Sequence, residues 1–91
     1  MNVDYKNIPN CVRKYKKARG LNQKDVAKVL GLKSASLISR WEKGICFPNP
    51  INLFRLAALY RTLVDALFID LLRSVKQELI KKEEKSLKSK G

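Results

Sequence analysis

The chain has 91 residues and a formal net charge of +12 at pH 7, from 20 Lys and Arg against 8 Asp and Glu, with no histidine. A chain of this length makes one domain with a modest core, and 45% hydrophobic residues with only 4 glycines and 3 prolines exclude a disordered chain. The basic excess points to a polyanionic partner, because each cation set against a phosphate releases a condensed counterion.

That charge is uneven. Residues 1–50 carry 11 basic and 3 acidic side chains, whereas residues 51–80 carry 4 and 3, so a functional surface is expected in the first half. Cys11 and Cys46 lack CxxC spacing and have no histidine to complete a tetrahedral set, so no metal and no cofactor is expected and both read as buried free thiols. With no histidine, no base evident beside Cys11 and scattered carboxylates, the chain is not expected to be an enzyme. Apolar runs such as Ala66 to Ile69 are far too short for a membrane span, and the N-terminus lacks an apolar leader; a cytoplasmic location is expected, with no membrane and no small-molecule partner.

Residues 1–9 form a polar lead-in, and Pro9 disfavours helix before it. Asn10 is the expected cap of a first helix over 10–19, with Val12, Tyr15, Lys16 and Arg19 at helical spacing and Gly20 as the stop. Asn22 caps a second helix over 23–30, with Asp25 in the positive field of its first turn and Gly31 ending it. Ser34 is the expected cap of a third helix over 35–43, closed by Gly44; Ile38 and Trp41 face inward, while Ala35, Ser36, Ser39, Arg40 and Lys43 face away. Asn49-Pro50 opens a fourth helix over 50–60. Thr62 to Asp65 reads as a capping box for a fifth helix that runs unbroken to about residue 81. The basic tail 82–91 has no apolar stripe and is expected to be disordered.

Two short capped helices meeting at a tight turn, with small Ala27 where the second must approach the first, have the layout of a helix-turn-helix. The run Gly20-Leu21-Asn22-Gln23, Val26-Ala27, Leu30-Gly31 and then Ile38-Ser39-Arg40-Trp41-Glu42-Lys43-Gly44 resembles the phage repressor and Cro type of helix-turn-helix, the XRE family, over residues 10 to about 68. The link from Gly31 to Gly44 is one residue longer than in the shortest members, which could shift the register of the third helix. The resemblance implies an all-α, five-helix repressor-like DNA-binding domain over 10–70, here with an extended C-terminal helix. It implies sequence-specific binding of double-stranded DNA by a transcriptional regulator, a repressor, that lays its third helix in the major groove.

Carried over from the family, the base-contacting positions are Ala35, Ser36, Ser39 and Arg40; Arg40 suits guanine O6 and N7, with a phosphate contact as its alternative. The phosphate-contacting set is Asn22, Gln23, Lys24, Lys33, Ser34 and Lys43, the first two at a helix N-terminus that offers N–H groups to an anion. Lys16 and Glu42 occupy positions that the family uses for an ion pair, usually with arginine at the first; lysine lacks the bidentate fork. Trp41 reads as core.

The apolar spacing of the fifth helix runs past what one small core needs. Leu71, Leu72, Val75 and Leu79, on the extension 71–81, are expected to form the contact of a homodimer on a palindromic site. Folding back over its own chain is the other reading of that stripe. A different class of function is an antitoxin or adaptor, which binds DNA but mainly grips a protein partner through the fifth helix.

Overall fold

Six helices and no strand occupy the described residues, 7–87, of the computed structural model: α1 (Val12–Ala18), α2 (Gln23–Leu30), α3 (Ser36–Glu42), α4 (Pro50–Leu59), α5 (Val64–Leu67) and α6 (Ile69–Leu87). Residues 1–6 and 88–91, part of the lead-in and the end of the tail, lie outside the described residues.

Where a helix end depends on its neighbours in sequence, it falls where the caps put it. The Asn22 side chain accepts from Asp25 N at 2.8 Å and Asp25 returns a bond to Asn22 N at 3.0 Å, a closed capping box that starts α2 at Gln23. Gly31 ends α2 with φ 71°, and Leu32 N reaches back to Ala27 O at 2.8 Å, which turns the chain sharply toward α3. Asn49 accepts from Asn52 N at 2.8 Å and Pro50 takes the first helical position of α4.

Three expected starts differ. Asn10 sits one position before the cap of α1; Cys11 holds the cap position without a side-chain bond, while Asn10 Oδ1 accepts from Val12 N and the Asn10 amide reaches α3. Ser34 does not hold the cap position of α3 either. Ala35 holds it, in helical conformation and without a side-chain bond, while Ser34 Oγ, one residue earlier, meets Ser36 Oγ at 2.7 Å and accepts from Ser36 N at 3.4 Å. Thr62 makes no capping box, because its N–H closes the preceding helix on Ala57 O at 2.9 Å and Leu63 takes the cap. That closure also holds Arg61 at φ 55°, a left-handed position more often filled by glycine.

The expected single fifth helix is two. Phe68, at φ −130° and ψ 39°, breaks it. Two tertiary contacts explain the break. Cys11 N binds Leu67 O at 2.7 Å and so competes for a carbonyl that an unbroken helix would use internally, and the Phe68 ring packs on Phe47 with centroids 4.7 Å apart. The helix after the break also continues beyond residue 81 to Leu87, helped by Lys82 and Glu78 at 3.0 Å one turn apart, so residues 82–87 are helical where a disordered tail was expected.

The core joins one face of each of the first five helices: Val12, Val26, Ala27, Ile38, Trp41, Leu56, Ala57, Tyr60, Leu67 and Phe68 are buried. Ile38, Leu56, Leu67, Val12 and Val26 are fully so, each stabilising the fold by about 1.5–3 kcal/mol. No residue of α6 is buried among those described. Leu71 packs half-buried against its own core, which removes it from the free stripe, whereas Leu72, Val75, Leu79 and Ile80 stay exposed.

Candidate nucleic-acid interface

α3 is held from behind. Ile38 is 0% and Trp41 2% exposed, and they fix the helix axis from the core side. On the opposite side Ser36, Arg40 and Lys43 are exposed, with Ala35 and Ser39 half-buried, and no described segment covers them. The one-turn rhythm that buries positions 38 and 41 is what leaves 36, 40 and 43 in solvent.

The far end of α3 is tied down by the lead-in. The Asn10 side-chain amide donates to Trp41 O at 3.2 Å and Glu42 O at 3.3 Å, while Asn10 Oδ1 accepts from Val12 N at 3.1 Å. Ile8 N donates to Gly44 O at 2.8 Å, and the backbones approach so closely that a Cβ on Gly44 would lie 2.6 Å from Ile8 N. Without these donors Glu42 O and Gly44 O would be orphan carbonyls at the helix C-terminus, whereas Trp41 O also accepts from Gly44 N at 3.0 Å.

A buried polar cluster joins α1, α2 and α3. Lys16 Nζ stands 2.7 Å from Glu42 Oε2, with the two side chains only 7% and 5% exposed. The approach is oblique for a hydrogen bond, so Oε2 is held by charge without an aligned donor. Glu42 Oε1 accepts from Gln23 Nε2 at 2.9 Å. Beneath them the buried Tyr60 hydroxyl finds no partner among the described residues, and burial first, then the Glu42 carboxylate, pushes its ionisation well above the ordinary tyrosine value.

This cluster floors an open cleft of about 720 Å³ between the three helices. Of the residues singled out in the sequence, Asn22, Gln23, Lys24, Ala35, Ser39 and Lys43 line it together with the Lys16–Glu42 pair. Ser36 and Arg40, and the turn residues Lys33 and Ser34, are exposed outside it. Two of the singled-out groups are already engaged, since the Asn22 side-chain oxygen caps α2 and Gln23 Nε2 serves Glu42. Arg13 and Lys17 also line the cleft and were missed; their i, i+4 spacing was the available signal. No group of histidine, cysteine or carboxylate side chains able to hold a metal is found among the described residues, and no described helix is long and apolar enough to cross a membrane.

An exposed polar face on a helix anchored from the core, preceded by a capped helix and a glycine turn, is the geometry of a groove-reading pair. The helix-turn-helix family model, of the Cro/C1 or XRE type, matches residues 12–67. The chain belongs to this helix-turn-helix family. It is accordingly a DNA-binding transcription regulator, with α2 and α3 as the two motif helices. No curated protein and no solved structure matches the chain. The family match begins at the first residue of α1 and ends at Leu67, the last residue before the Phe68 break, so the whole of this helix-turn-helix chain's α6 lies beyond the shared domain.

Proposed function

We propose that the chain is a sequence-specific repressor that occupies promoter DNA as a homodimer and reads the major groove with α3. The observation that carries this is the exposed face of Ser36, Arg40 and Lys43 on a helix whose opposite side is locked by Ile38 and Trp41. Arg40 chelates guanine in this reading, a contact worth about 1–3 kcal/mol of discrimination. Ala35, Ser36 and Ser39 flank it at the base edges, and Asn22, Gln23, Lys24, Lys33, Ser34 and Lys43 hold the phosphates on either side.

Dimerisation is assigned to α6. Leu72, Val75, Leu79 and Ile80 lie along one side of a 19-residue helix, exposed by 41%, 36%, 56% and 41%. A stripe of that length on a small basic chain supports pairing with a second copy. Two copies related by a dyad would present two α3 helices about one DNA turn, roughly 34 Å, apart.

Selection of bound duplexes from a random pool tests the reading. A palindromic motif is expected, with Arg40→Ala losing base preference at one position per half-site. A uniform loss over all sequences would make Arg40 a phosphate contact. Sedimentation of Leu72→Glu/Leu79→Glu should give the monomer mass. Wild-type chain that is monomeric alone but co-purifies with a stoichiometric protein partner would favour the antitoxin or adaptor reading.

A further inference from the structure

We propose that Arg13 and Lys17 of α1 form a second phosphate seat, so that the DNA backbone is gripped from outside the helix-turn-helix motif as well as from within it. The inference rests on the DNA-binding reading above and extends it to a helix that the motif assigns to packing. Arg13 and Lys17 stand one turn apart on the same face, both exposed, and both line the cleft that the start of α2 and the exposed side of α3 also line.

The charges around this cleft do not balance. Five cations, Arg13, Lys16, Lys17, Lys24 and Lys43, surround it with one carboxylate, Glu42. Glu42 is already committed to Lys16 and Gln23. Neither Arg13 nor Lys17 makes a side-chain hydrogen bond or ion pair among the described residues, in contrast to Arg19, whose Nε binds Leu59 O at 3.1 Å. Like charges gathered round a concave surface repel one another unless a polyanion is seated there.

Rigidity makes the arrangement useful. Lys16, between the two cations in sequence, is locked to Glu42 of α3, and Asn10 ties the start of α1 to the last carbonyls of α3. Arg13 and Lys17 therefore keep a constant position relative to the helix that reads the bases. A duplex docked on α3 brings its flanking phosphates to the mouth of the cleft, and these two side chains set the register without reading sequence.

The test is the salt dependence of binding by the full chain, to its selected site and to an unrelated duplex, for wild type, Arg13→Gln/Lys17→Gln and Lys81→Gln/Lys85→Gln. The last pair removes the same charge from α6, away from the cleft. Two lost phosphate contacts lower the slope of log K against log salt by about 1.8, which is ~30-fold in affinity at ~0.15 M salt when scaled from 1 M. The cleft variant is expected to show that loss equally on both duplexes, and the α6 variant is expected to leave the slope unchanged. An unaltered slope in the cleft variant, an equal loss in the α6 variant, or a loss confined to the selected site overturns the proposal. Wild-type protein that ignores duplex DNA at low salt would instead sink the underlying DNA-binding reading.

Discussion

Lys16 and Glu42 face each other across the boundary between α1 and α3, 2.7 Å from Nζ to Oε2, and both side chains are almost wholly out of water. Burying two charges is costly, and removing one leaves the other uncompensated. Lys16→Ala is expected to destabilise the fold by about 3 kcal/mol or more. Lys16→Met/Glu42→Leu should recover most of that loss. Urea unfolding of the four members of the cycle measures the coupling. Lys16→Arg should change stability by less than about 1 kcal/mol, because the charge pair is kept and Gln23 already satisfies one of the two carboxylate oxygens.

Asn10 gives a second, independent tie to the same helix. Asn10→Ala strips donors from Trp41 O and Glu42 O and is expected to cost about 1–2 kcal/mol. Asn10→Asp keeps the acceptor for Val12 N but sets a carboxylate against those carbonyls, so thermal unfolding should rank it below alanine. The opposite ranking would make the Val12 bond the one that matters.

Gly31 and Gly44 are both left-handed, at φ 71° and 75°, but only Gly44 is crowded. Gly31→Ala should cost about 1 kcal/mol from backbone strain alone. Gly44→Ala adds a collision with Ile8 N at 2.6 Å and with Ile8 O, and its loss should be at least about twice as large. Equal melting temperatures for the two variants would refute the close approach of the lead-in to α3.

Tyr60 carries a buried hydroxyl without a partner among the described residues. Tyr60→Phe is expected to be neutral or to stabilise by up to about 1 kcal/mol near pH 7. The same burial, reinforced by Glu42, raises the folded-state ionisation above that of the unfolded chain. Tyr60 therefore contributes fully below the ordinary tyrosine value of about 10 and loses its contribution as pH rises above it. The stability difference between Tyr60→Phe and wild type, followed by denaturant titration across that range, should grow in favour of phenylalanine. A difference independent of pH would mean that the phenol ionises freely in the folded protein.

Much of the helix-turn-helix architecture was readable from residue order because it is local. A capping box joins residues three apart, a proline sets its own φ, and burying Ile38 and Trp41 turns Ser36 and Arg40 outward by helical period alone. The expected set that lines the cleft was reached through the motif's resemblance. Arg13 and Lys17 escaped because the motif run begins after them; their i, i+4 spacing pairs them on one face of α1 but does not tell that this face adjoins the start of α2.

The order of residues by itself determined the turn at Gly31, the caps at Asn22 and Asn49 and the face of α3, since each depends on partners within a few positions. Tertiary structure alone decided that the Asn10 amide reaches α3 while its oxygen takes Val12 N of its own helix, that Gln23 turns to Glu42, and that the last long helix breaks at Phe68. In each of these, a hydrogen-bonding group with a local option took a partner from a distant segment, as when Cys11 N takes Leu67 O. Such a choice is settled only when packing brings the two segments together and removes water as the competitor.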